Sequence, residues 1–412
     1  MASYLLTPFG SGGDVNPFIW LGRLLQARGH EVTLMTVPMF REHAERAGLD
    51  FVGVGDEAAF MAFLDHPDLW KPLRGTAAVF DLAAKSVEPF YRAILEHLDK
   101  HPSIIASPFH NVAARMAREK TGARLVTVHL QPSCFLSAHD MPVFVNGAAW
   151  MKKLPLWCRR LLFALPNPMS FHLARLLRPL CKTEDITMPR RMLPDWMHSP
   201  DANLALFPDW FAAPQPDWPE NVIQAGFPLE DLSGQFVLPS DVDEFLAQGD
   251  KPVLLSPGTG NSQAREFFKA GLAACERLGC RALLGTKFKE QLPSPLPSWA
   301  RHFEYLPFSE LLPRVSVLVH HGGIGTMSQA LAAGVPQLVM PMAHDQPDNA
   351  DRVKRLGAGE WLAPSKFNKE RVAEQLRDLM TNNKVAAACA MSAQCCHESR
   401  ATELAMKLLE SM

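Results

Sequence analysis

The sequence predicts an α/β protein built as two Rossmann-like, doubly wound domains. Strand-length apolar runs alternate with helical patterns through the first half, and the alternation restarts at Pro252. Each half also places a glycine-rich corner after its first strand. Strands separated by helices imply parallel sheets, and 412 residues are enough for two cores.

In chain order, Tyr4–Thr7 reads as a strand, followed by the corner Gly10-Ser11-Gly12-Gly13-Asp14. Pro17–Arg28 reads as a helix with Phe18, Leu21, Leu24 and Leu25 on one face, ended by Gly29. Glu31–Thr36, Phe51–Val54, Ile104–Ala106 and Leu125–Val128 continue the strands. The second half opens on Pro252–Ser256, then the loop Ser256-Pro257-Gly258-Thr259-Gly260-Asn261 and a helix from Arg265 to Leu278. Arg281–Gly285, Val315–Val319 and Gln337–Met340 supply its remaining strands. The divisions expected are a first domain over 1–228, a linker over 229–251, a second domain over 252–391, and an amphipathic helical tail over 392–412.

Residues 136–220 break the alternation. They hold Trp150, Trp157, Trp196, Trp210 and Trp218, and residues 151–182 carry seven Lys or Arg with no Asp or Glu. One reading is a helical excursion with an apolar face on the core and a solvated basic face. The other is an acceptor lid that receives an anionic amphiphile or rests on an anionic membrane.

The formal net charge of −2 makes no case for a nucleic-acid partner. The eight cysteines show no paired Cys-x-x-Cys spacing, which fits free thiols in a reducing cytosol. The start of the chain does not read as a signal peptide, and no apolar run approaches the ~18 residues of a membrane span. The expected location is cytoplasmic, with peripheral contact with the inner membrane left open. Asp241-Val242-Asp243 has a metal-binding spacing but sits at a helix start, where acids suit the helix dipole; no metal and no cofactor are expected. Neither glycine loop has the Gly-x-Gly-x-x-Gly form, which argues against NAD.

The strongest signal is Val319-His320-His321-Gly322-Gly323-Ile324-Gly325-Thr326. A strand feeds a helix through a glycine corner, with Thr326 placed to cap the helix. Bare amides and the positive end of the helix dipole then meet where an anion can sit. The next strand, ending at Pro341, delivers His344, Asp345 and Gln346 to the same sheet edge, where open α/β sheets bind ligands. A phosphate cradle beside such a triplet suggests a nucleotide joined to something rich in hydroxyls. At the first corner, Asp14 suits a helix N-cap.

His-His-Gly-Gly-x-Gly-Thr, Gly334-Val335-Pro336-Gln337 and Asp345-Gln346-Pro347-x-Asn349 resemble the donor signature of inverting, nucleotide-sugar-dependent GT-B glycosyltransferases. Trp196-Met197-His198-Ser199-Pro200 and Leu206-Phe207-Pro208-Asp209-Trp210 resemble the rhamnosyltransferase B chains of rhamnolipid biosynthesis. The resemblance implies a ligand cleft between the halves and a tail packing back across it. It implies Asp14 as general base, with Gly12, Gly13, His110 and His139 on the acceptor side and the two histidines as rival bases. It turns Ser256, Gly258 and Thr259 toward the diphosphate, together with His320, Gly322, Gly323, Gly325 and Thr326. It gives Asp345 and Gln346, with His344 beside them, to the sugar hydroxyls, and Tyr305 and Phe308 to the base. His321 reads as a packing residue. Ser328 stands where many uridine-diphosphate users hold the ribose with Glu, which fits a thymidine donor.

The function implied is metal-independent, inverting transfer of a hexose, L-rhamnose from dTDP-L-rhamnose, to a hydroxyl of a hydroxyalkanoyloxy-alkanoate. The alternative is a UDP-glucose-dependent enzyme acting on a polyketide, sterol or other small acceptor. A sugar-nucleotide epimerase needs no acceptor pocket, and the Trp-rich excursion counts against it. A non-catalytic partner subunit is expected to lose Asp14 or His320, and both are present.

Overall fold

The computed structural model describes all residues except 166, 190, 230–238, 259, 305 and 306. Thr259, Tyr305 and much of the predicted linker therefore lie outside the described residues. The chain forms two units. The first contains Met1–Pro142, Gly147–Pro228 and Arg400–Met412; the second contains Val143–Asn146 and Leu229–Ser399.

The first unit holds β1 (Ser3–Leu6), β2 (Glu31–Thr36), β3 (Asp50–Gly53), β4 (Ile104–Pro108), β5 (Leu125–His129), β6 (Ala202–Ala205) and β7 (Val222–Gln224). The second holds β8 (Val253–Ser256), β9 (Ala282–Gly285), β10 (Ala300–Phe303), β11 (Val317–His320), β12 (Gln337–Val339) and β13 (Gly359–Trp361). The orders are β3-β2-β1-β4-β5-β6-β7 and β10-β9-β8-β11-β12-β13, with parallel pairings throughout. Both are Rossmann-like sheets. Their strand order reverses between β1 and β4 and between β8 and β11, the points where such sheets open a crevice at the carboxyl ends of the strands. The corners after β1 and β8 are the two glycine loops singled out in the sequence.

The central strands are apolar and buried on both faces. Val253, Leu255, Val317 and Val319 join one core cluster of the second unit, while Leu254 and Leu318 join the other. This period-2 division is what covering both faces of a sheet with helices requires.

Several elements differ from expectation. The first helix starts at Gly12, not Pro17. Ser11 is its N-cap, and the Asp14 carboxylate reaches back to the Ser11 amide, so a capping box outweighs two helix-poor glycines. Asp14 is thus the third helical residue rather than the N-cap. Residues 136–220 are not helical throughout, since β6 lies among them. The helix start expected at Asp241-Val242-Asp243 is present: Ser240–Ala247 carries both acids in its first turn, and Arg314 binds Asp243. The tail divides: Asn383–His397 belongs to the second unit, while Ala401–Glu410 joins the first. There Leu409 accepts a hydrogen bond from the Tyr4 hydroxyl, and Glu410 pairs with Arg28.

The first unit also buries a polar network built on the Trp196–Pro200 segment. His129 Nε2 lies 3.2 Å from Asn203 Oδ1 and 3.3 Å from His198 Nδ1. Asn203 donates to Ser199 and Asn221, and the Ser199 hydroxyl donates to the Leu125 carbonyl. Phe135 stacks on both His198 and Trp218. Burial holds His129 neutral far below the ordinary imidazole range and pushes the His198 pKa down to about 4, with nearby Arg115 adding to the shift.

A depressed histidine means that between pH 6.5 and 4 the unfolded chain binds a proton that the native chain refuses, so stability falls on acidification. For His198 alone this amounts to about 2 kcal/mol at pH 5 relative to pH 7. Denaturant melts at the two pH values should show the first unit losing stability, and His198→Gln should flatten that loss. An unchanged pH slope in the variant would show that the network carries no such linkage.

Candidate functional site

At the first unit's switch point, the Asp14 Oδ2 atom accepts from the Ser11 amide at 2.8 Å and the Ser11 hydroxyl at 3.0 Å. Oδ1 makes no hydrogen bond among the described residues. One carboxylate oxygen is therefore fixed and the other is free to meet a hydroxyl proton. The position depends on Gly10, whose φ is +133° and whose Cβ, were there one, would lie 2.3 Å from Asp14 Oδ2. Gly12 and Gly13 follow in the first helical turn and leave the Asp14 side chain uncovered, half-buried rather than enclosed.

The rival bases have other attachments. His110 follows β4, and its Nε2 donates to the Phe9 carbonyl at 2.7 Å, which fixes the ring and leaves Nδ1. His139 turns Nε2 to Arg160 at 3.3 Å, so that nitrogen accepts from a guanidinium.

In the second unit, β8 and β11 pair so that Ser256 lies beside His320. The structure corrects the expectation for His320. It is fully buried; Nε2 donates to Gln337 Oε1 at 3.0 Å, and Nδ1 accepts from the Gly322 amide at 3.1 Å. With both nitrogens used inside the fold, His320 has none left for a diphosphate. Burial, with His321 alongside, pushes its pKa down to about 3.

His321, read as a packing residue, is the histidine that faces the corner. Its ring fills the space left by two glycines: a Cβ on Gly258 would lie 2.7 Å from His321 Cε1, and one on Gly323 would lie 2.5 Å from Nε2. Its Nδ1 is buried without a hydrogen-bond partner among the described residues, and desolvation pushes its pKa down to about 4. It is a neutral imidazole with polar capacity unspent.

The helix beyond begins at Ile324, with Gly323 as N-cap. Thr326 is therefore inside the first turn rather than at the cap. The first helical bond runs from the Met327 amide to the Gly323 carbonyl at 3.0 Å, so the amides of Ile324, Gly325 and Thr326 precede it and point outward from the helix end. Gly325 is exposed with open space around it. At Gly322, with φ +97°, a Cβ would lie 2.8 Å from Val339 Cγ1 and 3.3 Å from Gln346 Cβ, so the turn closes directly onto the loop after β12.

That loop also corrects a role. Gln346 is 3% exposed, and its Oε1 accepts from the Met342 and Ala343 amides; it shapes the loop rather than presenting that oxygen to a sugar. Asp345 remains half-buried, and its Oδ2 accepts from Asn349 at 2.6 Å. His344 holds a left-handed backbone, φ +61°, a strained conformation for a side-chain-bearing residue. Phe308 is half-buried and packs against the core cluster that holds Leu311 and Leu312. Ser328 is buried with its hydroxyl on the Gly325 carbonyl. The neighbouring Gln329 is half-buried and donates to the Leu229 carbonyl.

The sequence motif gives Asn349 no role of its own. Buried, it donates from Nδ2 to both the Gly322 carbonyl and Asp345, tying the turn after β11 to the loop after β12. Asp348 is likewise buried, pairs with Arg352 at 2.7 Å and accepts from the Val143 amide. Asn146 donates to the Pro341 carbonyl. The short stretch Val143–Asn146 is thereby fixed beside the same loop. Among the described residues no cluster of side chains suits a metal ion.

Residues 4–122 match the glycosyltransferase family 28 N-terminal domain, and residues 284–411 match the erythromycin biosynthesis protein CIII-like C-terminal domain. The O-mycaminosyltylonolide 6-deoxyallosyltransferase of Streptomyces fradiae is 28% identical over 98% of this chain and 96% of its own. A sterol 3-beta-glucosyltransferase of Candida albicans is 25% identical over 86% of this chain, which spans 24% of that larger protein. The solved structure of the spinosyn rhamnosyltransferase SpnG matches with a TM-score of 0.74 at 19% identity, covering 100% of both chains; further structures of it hold thymidine diphosphate and the spinosyn aglycone. With two Rossmann-like sheets and glycosyltransferase domain matches over both ends of the chain, the protein is a glycosyltransferase of the GT-B fold.

Proposed function

We propose that this enzyme transfers a 6-deoxyhexose, L-rhamnose from dTDP-L-rhamnose, to a hydroxyl of a hydroxyalkanoyloxy-alkanoate or similar amphiphile, with inversion and without a metal. The observation that carries the transfer chemistry is the Asp14 carboxylate, held by one oxygen and open at the other. The sugar and acceptor rest on the resemblance of the donor signature and of the Trp196–Pro200 segment to rhamnosyl-transferring chains.

In this reading the free Asp14 oxygen takes the proton of the acceptor hydroxyl. The hydroxyl oxygen attacks the anomeric carbon from the face opposite the diphosphate, the bond to the diphosphate oxygen breaks, and the nucleoside diphosphate departs with the negative charge. His321, Ser256 and the amides of Ile324, Gly325 and Thr326 would hold that charge, and fixed dipoles in place before the reaction lower its barrier. Asp345 would take sugar hydroxyls, with His344 beside it. A macrolide or sterol acceptor is the second reading, favoured by the names of the relatives. Donor hydrolysis across dTDP- and UDP-sugars, followed by transfer to hydroxyacyl acceptors of graded length against a sterol and a macrolide, separates the two. Activity that does not respond to acyl length would exclude the lipid acceptor.

Asp14→Asn keeps an oxygen for the Ser11 amide but loses the base. Turnover should fall roughly 10²–10⁴-fold, with thermal midpoint and nucleotide affinity close to those of the parent. Near-normal turnover would transfer the role to His110 or His139.

The two adjacent histidines should separate cleanly. His321→Ala should weaken nucleoside-diphosphate binding in calorimetry. His320→Ala should act chiefly on stability, since it strands the Gln337 carbonyl oxygen and the Gly322 amide, at about 1–3 kcal/mol per unsatisfied buried group. If His320→Ala lost nucleotide affinity at an unchanged thermal midpoint while His321→Ala bound normally, the assignment would be reversed. Asp345→Ala should weaken the sugar nucleotide more than the bare nucleotide.

A further inference from the structure

The helix Leu156–Ala164 reads Leu-Trp-Cys-Arg-Arg-Leu-Leu-Phe-Ala, yet none of its residues is buried. Trp157, Leu161 and Leu165, four residues apart and so on one face, are 68%, 55% and 54% exposed. In the following helix, Pro168–Thr183, the inward face buries Leu173, Leu177 and Cys181, while Phe171 is 68% exposed. Helical spacing puts Arg175, Arg178 and Lys182 on the same face as Phe171. These three cations and Lys153 are exposed and make no ion pair among the described residues. Elsewhere in the same unit exposed cations are commonly matched, as in Arg92 with Glu184, Lys100 with Glu96 and Arg46 with Glu42. Residues 151–182 contain no acid that could do this.

Single exposed apolar residues need no explanation, but a stripe of large ones flanked by unmatched cations marks a contact surface. Two chemical demands fit one occupant. The tryptophan, leucine and phenylalanine side chains need an apolar medium, and the cations beside them need fixed negative charge. We propose that the helices Leu156–Ala164 and Pro168–Thr183 dock this enzyme on an anionic lipid surface. The apolar side chains enter the boundary between headgroups and acyl chains, and Lys153, Arg175, Arg178 and Lys182 lie on headgroup phosphates, their aliphatic stems along the interface. Among the described residues no helix is long and apolar enough to cross a membrane, so the contact is lateral and reversible. It rests on exposure and charge alone and stands or falls separately from the identity of sugar and acceptor.

The test is flotation of the full chain with vesicles of phosphatidylglycerol and phosphatidylcholine, against vesicles of phosphatidylcholine alone. Binding should require the anionic lipid and weaken as salt is raised, because exposed charges are screened. Arg175→Ala with Arg178→Ala should weaken it by about fivefold per charge removed. Trp157→Ser with Leu161→Ser should abolish it at unchanged circular dichroism and thermal midpoint, so that a folding defect is not mistaken for lost docking. No association with anionic vesicles at low salt overturns the proposal, as does association that both pairs of substitutions leave untouched. Self-association that the Trp157 and Leu161 changes abolish, with no vesicle binding, would assign the face to a second copy of the chain.

Discussion

The site geometry depends on β-carbons that are missing. Asp14 and His321 are each held against backbone at a distance that only glycine permits. A methyl group on Gly10 would overlap the Asp14 carboxylate, and one on Gly258 would overlap the His321 ring. These glycines follow the first strand of each sheet, where the chain must turn sharply from strand to helix. The same residue type thus allows the turn and leaves room for the functional group. Adding even one carbon there would overlap the side chain and would also strain a backbone held at φ +133° at Gly10 and +96° at Gly258.

The glycine turn after β11 is built around that vacancy by hydrogen bonds rather than by formal charge. Gln337 on β12 fixes His320, His320 fixes the Gly322 amide, and Asn349 fixes the Gly322 carbonyl. Each partner is buried. Buried polar groups are costly unless paired, so the set holds the turn in one conformation. His320 is thereby a positioning residue: it acts through the turn, and the groups that look outward are His321 and the first helical amides.

Much of this was legible in the sequence. The central strands β1, β2, β4, β5, β8, β9, β11 and β12 are apolar runs bounded by turn residues, and all were found within a residue or two. The short β6, β7, β10 and β13 were not. Ala202–Ala205 and Ala300–Phe303 lack a β-branched run, and β7 and β13 are three-residue edge strands whose pairing is set by the neighbour. The two histidines divide for a related reason. A motif names both residues, but strand alternation decides which lies inside. His320 is the last residue of β11, in register with Ser256 and Val339, whereas His321 is the first beyond the sheet. Gln346 suits a sugar and a loop equally well by residue type; its bonds from the Met342 and Ala343 amides tie its oxygen to the loop.

The neutrality of the corner has a chemical consequence. Desolvation pushes His321 down to about 4, so without ligand the site carries no imidazolium and avoids burying an unpaired cation. A diphosphate against the ring acts in the opposite sense, because a nearby negative charge favours the protonated form. Under the proposed function, a bound diphosphate would raise the proton affinity of the ring and its departure would lower it again. A lysine in that place would keep its charge in both states and hold the product. An imidazole between two glycines would suit that proposed cycle, since its proton affinity responds to a neighbouring charge.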